Sequence, residues 1–302
     1  MRIDLTKEIH MITLHLNPSD QIQTILDDYP LDEKIEIFLE AGVYHQKLRL
    51  KHHHLKISGS KTKETLITNG DYSYKMHEDG LLYNTFRTET VMILGDYVTL
   101  EHLTIENHSG RGLTIGQAVA LTLYGTHTRI DHVILKGHQD TLFIGPLPKD
   151  LCERYDHFLP IEERKSLTTE HLFTHTTIYG DVDFIFGSGT AYFLNCHIIA
   201  TNQGYIAAPS TYEDAPYGFV FMDSLIESKT LEPVTLARPW RAHGATHFIN
   251  CTFKGSFSHH RYDAWDKDTF RFFESPYQGH PLSKPIKEEE IEQLRALIQK
   301  LI

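Results

Sequence analysis

Leu194-Asn195-Cys196-His197-Ile198, Met222-Asp223-Ser224-Leu225-Ile226 and Ile249-Asn250-Cys251-Thr252-Phe253 are three copies of one short pattern. A large apolar residue is followed by Asn or Asp, a small residue, any residue, and another large apolar residue. Looser copies stand upstream at Leu100-Glu101-His102-Leu103-Thr104-Ile105 and Ile130-Asp131-His132-Val133-Ile134. The polar positions fall at 101, 131, 195, 223 and 250, with gaps of 30, 64, 28 and 27. The gap of 64 fits two repeats plus extra chain. Each unit holds β-branched, strand-like segments between Gly, Asn, Asp or Ser turns. A period of this length with strand chemistry predicts a stacked, quasi-one-dimensional array. Helical arrays need a 3.6-residue periodicity that is absent, and propeller blades need longer units. The expected fold class is therefore all-β, a parallel β-helix whose coils contribute equivalent inward-pointing rungs. Cys196 and Cys251 occupy equivalent places and read as small core fillers.

The ends depart from the pattern. Residues 18–30 read as a short capped helix closing the open end of the solenoid. Residues 284–302 read as an amphipathic helix against the outside of the coils, with Glu288 to Glu290 in its first turns. Its Ile291, Leu294, Leu297, Ile298 and Leu301 share one face. No linker marks a domain boundary, so residues 1–302 are expected to form one domain.

Composition narrows the function. Forty acidic residues against 29 basic ones give a formal net charge of −11. That balance argues against a nucleic-acid or anionic-membrane partner, either of which needs a basic face. The first ten residues show no secretion signal, and three cysteines without framework spacing fit a reducing compartment, so a cytoplasmic location is expected. A chain whose signal had been removed would read the same way. The 21 histidines include His52-His53-His54 and His259-His260, yet none has ligand-like spacing with a third partner. Those runs read as solvated turns, and no metal or cofactor is expected. Oligomeric state is not legible.

Two carboxylate blocks carry the chemistry. Gly137-His138-Gln139-Asp140-Thr141-Leu142-Phe143 and Tyr179-Gly180-Asp181-Val182-Asp183-Phe184-Ile185-Phe186-Gly187 each set an Asp in an apolar and aromatic run. An ionised carboxylate there is costly unless paired or hydrogen-bonded. Two such groups with divergent pKa values supply an acid and a nucleophile in one site. Asp181 follows Gly180 and reads as a turn residue. Phe184, Phe186 and Tyr192 alternate with other side chains, so at least two are expected as core rungs.

These blocks, with Gln117-Ala118-Val119-Ala120-Leu121 and Leu236-Ala237-Arg238-Pro239-Trp240, resemble in order the four signature blocks of the pectin methylesterases. Gly42-Val43-Tyr44, Thr88-Glu89-Thr90-Val91, Leu103-Thr104-Ile105-Glu106-Asn107 and Trp265 also look like family positions, extending the resemblance over roughly residues 12–280. It implies a right-handed parallel β-helix that removes C6 methyl esters from galacturonic acid units of pectin or oligogalacturonides, releasing methanol. By position, Asp183 matches the nucleophile, Asp140 the general acid and base, and Gln117 and Gln139 the anion-hole donors. Arg238 matches the partner of the nucleophile. Trp240, Phe143, Phe184 and Tyr262 are the candidate substrate-contacting aromatics, with packing an equal alternative for Phe143.

Departures from the family pattern are equally informative. Ala237 stands for a usual Gly and is expected to shift its turn slightly; Phe143 stands for a Tyr, and Tyr262 for a first Trp. Asp140 and Asp183 are 43 positions apart, more than is typical, and the extra stretch is about 144–171. Long loops in compact folds are usually functional. This one is expected to narrow the cleft and favour short oligomers. A lyase or glycosidase on the same solenoid, an esterase or thioesterase for another sugar or acyl substrate, and an inactive carbohydrate-binding β-helix are the competing readings.

Overall fold

The computed structural model describes residues 11–164 and 168–302. Short strands wind into two long parallel ladders, one of 11 strands and one of 13. In the first, strand order follows chain order, from Ile12–Leu16 through Ile35–Leu39 and Leu55–Ser58 to Arg271–Ser275 and Lys284–Pro285. Chain-order neighbours that are parallel, with other strands between them in sequence, make a solenoid. The fold is the expected parallel β-helix.

The larger ladder forms two faces. One carries Thr104–Asn107, Ile134–Lys136, Leu225–Ser228 and Thr252–Lys254. The other carries Leu48–Leu50, Val91–Ile93, Leu121–Leu123 and Leu142–Ile144. Two longer strands, Thr177–Gly187 and His197–Pro209, run through both faces. Their pairing slips between Gly180 and Val182 and again between Val182 and Ile185, which bends the strand where the faces meet.

The repeat in the sequence is a turn column. His102, His132, His175, Asn195, Asp223 and Asn250 all sit at φ between 50° and 55°. Each follows a strand of the first ladder, at one step of successive coils. Asn and Asp tolerate this left-handed conformation best, and His is also enriched there. The upstream copies were therefore read one residue early: Glu101 and Asp131 end their strands, and the turn residues are His102 and His132. The long gap resolves into two coils, with His175 as the intervening turn.

Residues just after the turns stitch the coils together. Thr176, Cys196, Ser224 and Cys251 each donate to a carbonyl of the preceding coil, those of Ile130, Phe173, Phe193 and Phe221. The two cysteines thus fill equivalent places, as expected, with the thiols also hydrogen-bonded. Inside, Phe173, Phe193, Phe221 and Phe248 are register partners and stack with centroids 4.7 Å apart at each step. That spacing matches the separation of neighbouring strands.

Helix α1 (Ile22–Asp27) is shorter than the 18–30 expected, and it buries Ile22 and Leu26 against the first coil. Its capping differs from the sequence reading. Ile22 N donates to Gln46 Oε1, while Asp20 accepts from Asn17 instead of capping. After α2 (Lys149–Arg154, described below), helix α3 (Glu288–Leu301) lies on the outer face of the first ladder. Ile291, Leu294 and Ile298 pack on Leu172, Tyr192, Val220, Met222 and Ile249. Each such side chain contributes about 2 kcal/mol. Arg295 grips Asp223 with two bonds of 2.7 and 3.0 Å.

Among the described residues no helix is long and apolar enough to cross a membrane. His52, expected in a solvated turn, is buried and donates from Nε2 to Tyr29 O. The turn column brings Asp131, His132 and His175 together, a grouping the sequence did not reveal. The two rings stack at 4.6 Å, and Asp131 accepts from Thr174 Oγ1, which accounts for the cluster as part of the column.

Candidate active site

Leu142–Ile144 pairs with Ile185–Gly187 so that Leu142 faces Ile185 and Phe143 faces Phe186. Asp140 and Asp183 precede these partners by two residues each. Both are left-handed, at φ 65° and 48°, so each backbone turns its side chain away from the regular pleat. Gln117 lies on the approach to Leu121–Leu123, the next strand over, and Gln139 adjoins Asp140. Arg238 and Trp240 follow Thr235–Ala237. These six residues line one cleft of about 490 Å³.

Arg238 holds Asp183 as a fork, Nε to Oδ1 at 2.9 Å and Nη2 to Oδ2 at 2.5 Å. Its guanidinium lies between the rings of Tyr205 and Trp265, at 3.8 and 3.9 Å from their centroids. Such a sandwich fixes the plane of the fork. The Asp140 carboxyl is held well above the ordinary carboxylate range, first by burial and then by the Asp183 charge. Burial also raises Asp183, but the hydrogen bonds and charge of Arg238 oppose it. The ordering follows: Asp183 ionises before Asp140, and the two titrate as a coupled pair. Neither the Gln117 nor the Gln139 side-chain amide is hydrogen-bonded to another described residue, so both have donors free to meet a ligand oxygen.

Three of the four candidate aromatics lie elsewhere. Phe184 is fully buried in the main core, where a Cβ on Gly180 would come within 2.2 Å of it. The glycine is there to admit the ring. Tyr262 is also core, stacked on Phe272 at 5.1 Å. Phe143 points outward from the solenoid yet has no exposure, because chain packs over it. Only Trp240 of the four borders the cleft, edge-on to Phe186 at 5.7 Å. Asp181 is not in a turn but in the slipped stretch of Thr177–Gly187, accepting from Val182 N. The Ala237 methyl is buried in the main core, away from the turn it was expected to shift. Trp265 and Tyr205 are contributors that the sequence did not mark as site residues; Trp265 was visible only as an isolated family position.

The chain that covers Phe143 leaves the ladder after Ile144 and rejoins it at Glu170. At its mouth Thr169 Oγ1 donates to Gly145 O at 2.5 Å. Gly189 sits against both, and a Cβ there would lie 2.3 Å from Thr169 Oγ1. The excursion carries α2, whose Leu151 joins Leu147 and Leu159 over Phe86, Phe143 and Phe186. Ion pairs brace it, among them Asp150 with Arg241 at 2.8 Å, Glu163 with Arg49 at 2.6 Å and Glu162 with Lys51 at 3.4 Å. Burial pushes the Glu163 carboxyl up to about 7 despite that partner. Leu151, Arg154 and Tyr155 form part of the cleft lining.

Comparison with known proteins agrees with this geometry. The pectinesterase family model matches residues 19–146 and 166–277, leaving 147–165 unmatched within the excursion. The chain is 28% identical over 228 residues to probable pectinesterase/pectinesterase inhibitor 6 of Arabidopsis thaliana, covering 73% of this chain and 35% of that one. It is 26% identical over 272 residues to pectinesterase A of Dickeya dadantii, covering 76% of this chain and 67% of the relative. Some curated relatives are thus much longer than the stretch matched here. The solved pectin methylesterase of Yersinia enterocolitica superposes with a TM-score of 0.74 at 26% identity, over 92% of this chain and 97% of that one. With the matched residues spanning most of the coils and all four carboxylate, amide and arginine blocks, the chain belongs to the pectinesterase family.

Proposed function

We propose that this protein hydrolyses the C6 methyl esters of galacturonic acid units, releasing methanol. The observation that carries the reading is the asymmetric aspartate pair, one carboxylate forked by Arg238 and the other buried without a cation of its own.

In the first half, ionised Asp183 attacks the ester carbonyl carbon. The negative charge that develops on the carbonyl oxygen is met by the Gln117 and Gln139 amides. Losing one such donor costs about 3 kcal/mol of transition-state stabilisation. Asp140 gives its proton to the departing methoxide, since methoxide leaves poorly without one. Methanol departs, and an anhydride joins the substrate acyl group to Asp183. In the second half Asp140, now a carboxylate, takes a proton from water as the water attacks the acyl carbon. Asp183 is expelled as a carboxylate, back into the Arg238 fork, and the substrate leaves as the free acid.

The excursion gives the cleft a wall built from Leu151, Arg154 and Tyr155. Such a wall supports a preference for short methylated oligomers over long polymer. A methanol-release assay on methylated galacturonate oligomers, run beside methylated polymer, tests both statements. Release from oligomers without new reducing ends or unsaturated products is expected. Cleaved chains in place of methanol would sink the esterase assignment, and equal rates on polymer and trimer would sink the size preference.

A further inference from the structure

We propose that Arg154 is the subsite for a free carboxylate on a sugar unit neighbouring the ester under attack, so that the excursion selects partly de-esterified oligomers. This rests on the methylesterase reading above and adds a recognition element to it. The residue lies in the stretch the family model leaves unmatched, so the recognition belongs to this chain's own excursion.

Among the described residues three arginines line the cleft: Arg154, Arg238 and Arg241. Two are occupied. Arg238 is forked onto Asp183, and Arg241 holds Asp150 by three contacts of 2.8 to 3.3 Å while lying over Trp240. Arg154 is exposed, and among the described residues no carboxylate lies within ion-pairing distance of it. Its nearest aromatic, the Tyr155 ring, is 5.9 Å away. Of the arginines in the described lining, Arg154 is the one without a carboxylate partner among the described residues.

The placement of Arg154 is fixed although its head is free. It ends helix α2, which is held by buried Leu151 and by the Asp150–Arg241 pair, the latter next to Trp240 in sequence. A guanidinium carried on a braced element loses little freedom on meeting a carboxylate, and its planar fork suits that partner. With Asp183 and Arg238 neutralising each other and Asp140 protonated, the remaining positive charge at the lining is that of Arg154. The substrate polymer offers one complementary group, the carboxylate of a unit that has already lost its methyl ester.

The test compares two trimers, both esterified on the central unit, one with free outer carboxylates and one with outer methyl esters. The readout is the ratio of their kcat/KM values for methanol release. Arg154→Ala should lower the free-to-esterified ratio by about threefold to tenfold, the range for an exposed charge-assisted contact. Arg154→Glu should reverse the preference. Lys149→Ala removes a cation from the same helix at a point outside the cleft lining, and should leave the ratio unmoved. An unmoved ratio in Arg154→Ala overturns the proposal. A Lys149→Ala shift of equal size also overturns it, since the effect would then be long-range attraction. If the wild-type protein releases methanol from neither trimer, the methylesterase reading itself has failed, a result separable from both.

Discussion

Asp140 and Asp183 occupy the same step of successive coils, two residues ahead of the register partners Leu142 and Ile185 respectively and each in left-handed backbone. Strands in such a ladder lie about 4.8 Å apart, so this equivalence, and not proximity in sequence, makes the carboxyls neighbours. The slip in pairing on either side of Val182 gives the Asp183 strand the bend that turns its carboxylate toward Arg238.

On the proposed mechanism, Asp183→Asn removes the attacking carboxylate, and Asp140→Asn removes the transferable proton. Each is expected to cut methanol release by roughly a thousandfold or more, while the double variant is little worse than either alone, because the two act as a unit. Steady-state assays on a methylated trimer check this.

Asp140→Asn should also stabilise the protein, but only where the wild-type residue is under pressure to ionise. The folded-state pKa of Asp140 is raised, so its contribution is fully present below the ordinary carboxylate range and is lost as pH rises through the folded value. The variant does not titrate there. Its melting temperature should exceed wild type at about pH 8 and converge with it at about pH 4. A constant offset at both values would contradict the burial of an ionisable group at this position.

Arg238→Lys keeps the charge and loses the fork and the sandwich between Tyr205 and Trp265. With weaker opposition to burial, the Asp183 pKa rises. The acid limb of the kcat/KM profile should move to higher pH, with kcat falling about tenfold or more. A pH–rate profile of the variant beside wild type reads the shift.

Phe143→Ala and Trp240→Ala should separate packing from contact. Phe143 is sealed beneath the excursion, so its truncation should cost about 3 kcal/mol in denaturant unfolding. Trp240 borders the cleft, so its truncation should raise KM with a smaller stability cost.

Glu163→Ala removes one brace of the excursion and leaves Arg49 with Glu89, 4.0 Å away, as its buried partner. Limited proteolysis within residues 147–165 should become several times faster while the coils stay resistant. Equal cleavage rates would show that Leu147, Leu151 and Leu159, with the remaining ion pairs, hold the segment without Glu163.

The coil architecture and the two carboxylate blocks were legible because both are written locally, whereas Gln117, Gln139 and Arg238 were marked only by the family resemblance. The repeat follows from the turn chemistry at Asn195, Asp223 and Asn250, and the carboxylate blocks follow from charge set in apolar chain. The register of the upstream coils was obscured because an acidic strand end at Glu101 and Asp131 precedes a His that takes the turn itself. The aromatic assignments failed for a different reason. Strand alternation separates inward from outward side chains but is silent on what covers the outside. Phe143 is outward and still buried, because residues 147–159 fold back over it. Phe184 turns inward where Gly180, four residues earlier in the same slipped strand, leaves room for its ring, a relation that regular alternation does not state. Arg154 carried no signal at all in the sequence beyond its place in the long stretch.

Where the excursion leaves and rejoins the solenoid, Thr169 and Gly145 are joined by one hydrogen bond, with Gly189 allowing the close approach. The axial rise of the coils is set by the ladder on either side, so the length of chain hung from that mouth does not enter the geometry of the aspartate pair. The mouth is in effect a splice point: excursions of other lengths and charges, exchanged as cassettes between residues 145 and 169, would change which oligomers are admitted and leave the hydrolytic machinery in register.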